Sequence, residues 1–392
     1  MDFVWWLVVG LGHLGICVVI FNQIHSTSLP RLWRKRTEKI LAAITATFGL
    51  YLLWQVVSLA TIRFWAVVAN NSFNRVYLHA CIVSGCFFIV RWIYRRWKYR
   101  RPAQVTSRTV SVEDVQERLG ESLYKTAKAR FFSSIPGNIA HKIASERMTF
   151  RIAGLPKDLE GLKICHLSDF HLTGQLDRSY FERIVSLSNE FKPDLILITG
   201  DLVDEKECLE WIEPIFGNLS ARHGVFYVLG NHDRRIQDEK MYRQRLDDAG
   251  MVGVAGTWRT VSIKDATIAI TGNELPWFSD AKGLQDYEET TSTDASGANL
   301  LKILLSHSPD QLTWARQFNF DLMLAGHTHG GQARIPLIGP FVAPSRFGIL
   351  YAGGTFMIGQ MLMHVTRGIS GDKCLRINCL PEVAMITLTG TS

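Results

Sequence analysis

The residues best able to do chemistry fall in five short clusters: Asp169-Phe170-His171, Gly200-Asp201, Gly230-Asn231-His232-Asp233, His307, and Gly326-His327-Thr328-His329. Their side chains offer carboxylate oxygens, an amide oxygen and imidazole nitrogens, with no thiolate among them. Such a set suits hard or borderline divalent ions such as Mn, Fe or Zn, and not a closed structural zinc site. In an extended D-x-H element alternate residues point the same way, so Asp169 and His171 can grip one ion together. The same spacing in His327-Thr328-His329 can supply one imidazole to each of two ions.

Something must bring these clusters together, and the residues just ahead of each one say what. Lys163–Ser168 (KICHLS), Leu195–Thr199 (LILIT), Val225–Leu229 (VFYVL), Ile303–Ser306 (ILLS) and Leu322–Ala325 (LMLA) are short apolar runs that read as buried strands, as does Thr267–Thr271 (TIAIT). Helical patterns fit between several of them, around Tyr180–Glu190 and Met241–Ala249. Alternating strands and helices followed by more strands predict a layered α/β body. Ligand sites in open α/β sheets lie beyond the carboxyl ends of strands, so five loops bearing Asp, Asn and His are expected to converge on one crevice.

The segments LSDFH, TGDLVD, LGNHD, SHSPD and GHTHGGQ resemble the successive motifs of the calcineurin-like metallophosphoesterase family. The resemblance runs from about Leu155 to Leu388. Its tail, VTRGIS followed by RINCLPEVAMITL, is similar to the end of a bacterial membrane-associated branch. It implies a layered β-sandwich flanked by helices, and a phosphoesterase with two divalent metal ions. The first ion would be held by Asp169, His171, Asp201 and His329, the second by Asp201, Asn231, His307 and His327, with Asp201 bridging. Such a pair binds phosphoryl oxygens and lowers the pKa of a water between the ions. By the same resemblance His232 would protonate the leaving group or stabilise phosphoryl charge, with Asp233 orienting its ring. The text GDLVDEK and GNHD departs from the GDxVDRG and GNHE of Ser/Thr protein phosphatases, which disfavours phosphoprotein substrates. A non-enzymatic membrane scaffold should have lost ligands, yet all seven are present here.

Charge is divided unevenly along the 392 residues: 1–101 hold 13 Lys and Arg against 2 acids, whereas the remainder holds 30 against 34. The mildly acidic body argues against nucleic acid as a partner, and the basic, Trp-rich amino-terminal part reads as a membrane anchor. Three stretches approach the roughly 20 residues that cross a bilayer: about Phe3–Phe21, Ile40–Ile62 and Val76–Ile93. Basic residues cluster between the first two and after the third, while only Arg63 and Arg75 lie between the second and third. The positive-inside rule then puts the amino terminus outside and the body in the cytoplasm of a multi-pass inner-membrane protein. Asp2, the lack of an early Lys or Arg, and the lack of an A-x-A site speak against a signal peptide.

The expected organisation is therefore an anchor over 1–101, a linker over 102–147, and a phosphoesterase domain over 148–392. In the linker, Ser111 and Asp114 form an S-x-x-D start, and Val112, Val115, Leu119, Leu123, Ala127 and Phe131 recur at helical spacing, predicting an amphipathic helix. His13 and His79 are expected to face helix neighbours. His166, His223 and His364 read as ordinary core or surface histidines, Cys165 as a small buried hydrophobe, and Asp286–Ala298 as a solvated loop. Arg234 and Arg235 are candidates to meet an anionic substrate. That substrate is expected to be a phosphorylated small molecule or a lipid at the bilayer. UDP-2,3-diacylglucosamine is one candidate, because some relatives in the family cleave such pyrophosphates, and a soluble diester is the alternative.

Overall fold

The computed structural model describes residues 2–25, 31–58, 72–98, 102–278, 300–336, 338–340 and 342–390. Two compact units emerge, one of residues 1–100 with Pro344–Leu350, the other of Arg101–Ala343 with Tyr351–Ser392.

The first unit contains helices α1 (Asp2–His25), α2 (Arg31–Ser58) and α3 (Ser72–Lys98). Within them Val4–Ile24 and Arg75–Tyr94 are long and apolar enough to cross a membrane. Gly12 of α1 lies against the Cys81 backbone of α3, and Gly85 of α3 against that of Val8, so a methyl group at either position would force the helices apart. His13 is buried between them, hydrogen-bonded to the Tyr77 hydroxyl at 2.7 Å. His79 instead lies on an exposed helix face and bonds the Arg75 carbonyl of its own helix. The expected middle span is helical in α2 as far as Ser58, and its remainder lies outside the described residues.

The second unit starts with β1 (Val105–Asp114), α4 (Val115–Leu119), α5 (Ala127–Ser133) and β2 (Lys142–Ile152). This is where the structure departs from the expected linker. Residues 105–112 are rich in Val and Thr, which favour extended backbone, and β1 pairs antiparallel with β2 from Val105↔Phe150 to Asp114↔Lys142. The predicted long helix survives only as two short ones, α5 at its end and α4 near its start. Asp114 caps it by accepting from the Glu117 amide, and Gly120, at φ 69°, ends it one turn later. Val115 and Leu123 are buried as the stripe required, whereas Val112 and Phe131 face solvent.

The chain continues through β3 (Lys163–Leu167), α6 (Arg178–Glu190), β4 (Leu195–Thr199), α7 (Ile212–Phe216), β5 (Val225–Val228), α8 (Glu239–Asp248) and β6 (Met251–Gly253). Next come β7 (Trp258–Ile263), β8 (Ala266–Asn273), β9 (Leu300–Ser306), α9 (Leu312–Ala315) and β10 (Leu322–Ala325). A small ribbon of β11 (Arg334–Ile335) and β12 (Gly339–Pro340) precedes β13 (Gly354–Ile358), β14 (Met361–Val365) and β15 (Glu382–Gly390). The strands form a seven-stranded sheet, β1-β2-β15-β3-β4-β5-β6, and a six-stranded sheet, β13-β14-β10-β9-β8-β7. Ile164, Leu197 and Val228 of the first sheet and Ile270, Leu305 and Leu324 of the second share one core between the sheets. The other face of the first sheet packs Ile196, Ile198 and Tyr227 with Tyr180, Ile184 and Phe216 of α6 and α7. This is the layered α/β sandwich flanked by helices. In both sheets the strands preceding the clusters are parallel neighbours, so their exits lie at one end. The Asp286–Ala298 loop lies outside the described residues.

A fragment beginning at residue 148 would lose β1 and half of β2, strip the buried Ile143 and Ala144 from the core, and leave Glu382–Met385 at one edge of β15 unpaired. Compared with a fragment beginning at residue 102, it is expected to aggregate or to melt roughly 10 °C lower or more, as circular dichroism would show. Equal melting temperatures would overturn a structural role for β1 and β2.

Candidate metal centre

The ends of β3, β4, β5, β9 and β10 bring the seven predicted ligands together: Asp169, His171 and His329 form one group and Asp201, His307 and His327 a second, with Asn231 beside His307 and Asp201 also near His171. In the first, His171 Nε2 lies 3.3 Å from His329 Nε2, 3.5 Å from Asp201 Oδ2 and 3.8 Å from Asp169 Oδ1, while His329 Nε2 is 3.5 Å from Asp169 Oδ1. In the second, His307 Nε2 lies 3.1 Å from Asn231 Oδ1, 3.1 Å from His327 Nδ1 and 3.2 Å from Asp201 Oδ2.

Hydrogen-bond partners on the far side of the rings decide what these contacts are. His307 Nδ1 donates to the Thr199 carbonyl at 2.7 Å, and His171 Nδ1 to Asp204 at 3.0 Å. In the neutral ring each Nε2 then carries a lone pair. With both rings neutral these lone pairs face carboxylate, amide and imidazole acceptors, an arrangement relieved either by a cation among them or by protons on His171 and His307. Atoms that ligate one ion at about 2.0–2.2 Å stand about 3.0–3.5 Å apart, and every separation above but the 3.8 Å between His171 and Asp169 falls in that range. The residues therefore fit a pair of divalent ions.

Electrostatics agree. Burial alone would raise the Asp169 and Asp201 carboxyls, but the surrounding histidines hold both well below the usual carboxylate range. Burial, with His307 beside it, keeps His327 neutral, and burial together with His171 and Arg376 pushes His329 down to about 3 despite Asp169. His171 and His307 go the other way: burial opposes their charge, yet Asp204, with Asp169 and Asp201, raises His171 well above its ordinary value, and Asp201 and Asp169 pull His307 up to about 9.

Backbone strain marks the same residues. Asp169 (φ 56°), His171 (φ 48°), Asp201 (φ 55°), His327 (φ 69°) and His329 (φ 49°) all lie in the left-handed region. That conformation costs about 1–3 kcal/mol at each non-glycine residue and persists where surrounding structure enforces it. Glycines supply the space: a methyl on Gly326 would overlap Ser168 Oγ and Asp169 Oδ2, and one on Gly230 would overlap Asp201 Oδ1.

Asp233 does not touch the His232 ring. Its carboxylate instead accepts from the amides of Asp201, Leu202, Val203 and Gly230 and from the Tyr242 hydroxyl, tying the β4 and β5 exits together. Five donors around one carboxylate leave it no need of an imidazole. The ring of His232 is held by Asp204, whose Oδ2 accepts from Nδ1 at 2.8 Å, the same carboxylate that orients His171. The sequence reading overlooked Asp204, although it ends the TGDLVD motif, three residues after Asp201. Arg235 donates to Asp204 and Asp372 and so serves as a tie, while Arg234 is exposed.

Two further residues were missed. Trp277 packs its ring 5.0 Å from that of His327 and 5.4 Å from that of His307. Arg376, fully buried, donates to the carbonyls of His329, Arg367 and Ser370, and its Nη2 lies 3.3 Å from His329 Nδ1. His166 and His364 are core residues as expected, paired through their Nδ1 atoms at 3.0 Å. Cys165 is buried, which pushes its thiol up to about 12 and leaves it inert.

Donor set and sandwich together define a metal-dependent phosphoesterase, and comparison with known proteins agrees. Residues 162–331 match the family model described as calcineurin-like phosphoesterase. The chain is 30% identical over 257 residues to the uncharacterized metallophosphoesterase YkuE of Bacillus subtilis, covering 64% of this chain and 87% of YkuE. It is 32% identical over 247 residues to the phosphodiesterase YaeI of Escherichia coli, covering 62% and 88%. A Danio rerio transmembrane protein with metallophosphoesterase domain is 32% identical over 192 residues, covering 45% and 42%. The chain belongs to the calcineurin-like phosphoesterase family, metal-binding hydrolases of phosphoester bonds.

Gly326→Ala is expected to push Asp169 out of the first group and to weaken divalent-ion uptake by about 10–100-fold, read by titration calorimetry with Mn or Zn. Uptake equal to wild type would contradict the close approach on which this geometry depends.

Proposed function

We propose that the chain is a membrane-anchored, two-metal phosphohydrolase that cleaves phosphodiester or pyrophosphate bonds at the inner face of a bacterial inner membrane. The observation that carries the reading is the pair of buried carboxylate, amide and imidazole groups joined at Asp201. Asp169, His171, Asp201 and His329 would hold one divalent ion, and Asp201, Asn231, His307 and His327 the other. When bound, such ions neutralise phosphoryl charge and make water a stronger nucleophile near neutral pH.

The protein's own groups supply the rest. Asp204 accepts the Nδ1 proton of His232, fixing its tautomer and leaving Nε2 to exchange a proton with the departing oxygen. The His232 side chain keeps 16% of its surface exposed, so a substrate can reach it. Asp233 holds the backbone that presents Asp201 and Asn231.

Two apolar helices of spanning length and the basic loops of the first 101 residues support a membrane location. On this reading a lipid-linked nucleotide such as UDP-2,3-diacylglucosamine is the first substrate to test. A soluble phosphodiester is the second, YaeI being named a phosphodiesterase.

With Mn present, release of product from both compounds is the assay. Asp201→Ala should abolish turnover. His232→Asn should lower kcat by about 10²–10⁴-fold for an alkyl leaving group and far less for a nitrophenolate, which needs no proton. Turnover that survives Asp201→Ala, or chelation of the metal, would defeat the two-metal reading.

A further inference from the structure

The β11–β12 hairpin grows directly out of the metal centre and carries an unexplained apolar tip. Within the phosphoesterase unit, the exposed large apolar side chains among the described residues are Val110, Val112, Phe131, Ile335 and Ile338. Two of these five lie in the hairpin, 45% and 51% exposed, with Pro336 exposed between them. Residues 335–343 include no charged side chain, and Arg334 stands at the edge of this run. A ribbon of two-residue strands cannot hold itself in water, and here its base is fastened to the centre. Arg334 Nε donates to the Gly330 carbonyl at 2.7 Å, its amide donates to the Ile377 carbonyl at 2.9 Å, and Gly331 lies so close to Pro340 that no side chain fits between them. Gly330 and Gly331 immediately follow His329.

We propose that this hairpin is a lipid-docking element, which inserts Ile335 and Ile338 into the bilayer surface and so sets the metal centre at headgroup depth. The occupant is lipid because the same chain holds two helices of membrane-spanning length, which keep the unit at a bilayer at high effective concentration. Apolar tips flanked by arginine suit that boundary, the alkyl side chains entering the acyl region and the guanidinium staying with phosphate. The inference rests on the membrane reading above and adds a consequence for substrate choice. Phosphoesters presented at the headgroup plane would reach His329 and its partners without leaving the membrane.

The test uses the full chain in nanodiscs of phosphatidylethanolamine and phosphatidylglycerol. Cys86→Ser removes the exposed free cysteine among the described residues. Single cysteines replacing Ile335, Leu11 in α1, or the solvent-exposed Lys264 are then labelled with an environment-sensitive fluorophore, and metal content verifies each variant. Emission from the Ile335 probe should fall by about half when lipids carry a shallow nitroxide, with the label shielded from iodide, whereas the Lys264 probe should respond to iodide alone. An Ile335 probe that behaves like Lys264, while the Leu11 probe is quenched by lipid, overturns the docking and leaves the anchor standing. Shielding from iodide without lipid quenching overturns it in favour of contact with a second copy. A Leu11 probe untouched by lipid nitroxide overturns the membrane reading itself, and the docking with it.

Discussion

Lone pairs held against lone pairs are what the rest of this fold has to support. Two buried groups of oxygen and nitrogen atoms, 3.1–3.8 Å apart and sharing Asp201, carry more lone pairs than protons to satisfy them. Until a cation arrives, only protons on His171 and His307, raised by the neighbouring carboxylates, relieve the crowding. A scaffold that tolerates this must fix each ligand from behind, and nearly every ligand here has such a restraint. Thr199 holds His307, Asp204 holds His171, and the amide of His327 donates to Asp169. Asp233, with four amides and a tyrosine hydroxyl on one carboxylate, fixes the two loops that carry Asp201 and Asn231. Each restraint is a hydrogen bond to an element whose own position is set by a sheet.

Strain follows from the same requirement. A residue at the end of a parallel strand that continued along its β path would send its side chain away from the crevice. A left-handed step turns the chain sharply and aims the next donor inward. Five of the seven ligands take that step themselves, although none is glycine. Metal binding offsets this cost, which is why such strain belongs at a centre that collects ions and would be purged from a merely structural loop.

The strands and the candidate ligands that converge at their exits were legible in the sequence because both are local. LMLA and LILIT coincide residue for residue with β10 and β4, and the motifs at their exits carry their own chemistry in three or four letters. What escaped was non-local. Asp204 and Asp233 stand in adjacent motifs, each a carboxylate near a histidine, and only the folded loops reveal that Asp204 meets the ring while Asp233 meets amides. Arg376 reaches His329 from 47 positions away. The stretch from 102 to 147 misled for a different reason. An apolar residue every three or four positions fits a helix, but Val and Thr at 105–112 and a left-handed Gly120 interrupt it, and pairing with β2 decides the outcome.

The carboxyl-terminal strand shows why the centre depends on the chain as a whole. β15 inserts between β2, which lies early in the domain, and β3, whose exit bears Asp169. The segment leading to it passes over the site. Amides of Ile369 and Ser370 donate to the carbonyls of Ser168 and Asp169, Gly368 leaves no room for a side chain beside Asp169, and Arg376 ties the loop to His329. The buried guanidinium of Arg376 has no carboxylate partner among the described residues; backbone carbonyls surround it instead. A cation so placed, beside a site that must itself attract cations, disfavours ion binding through simple repulsion. It is tolerable only because the carbonyls it gathers are those of the loop that positions Asp169 and His329. The geometry of the first group is thus obtained at some expense of its charge, and the two carboxylates of Asp169 and Asp201, held ionised, restore the balance.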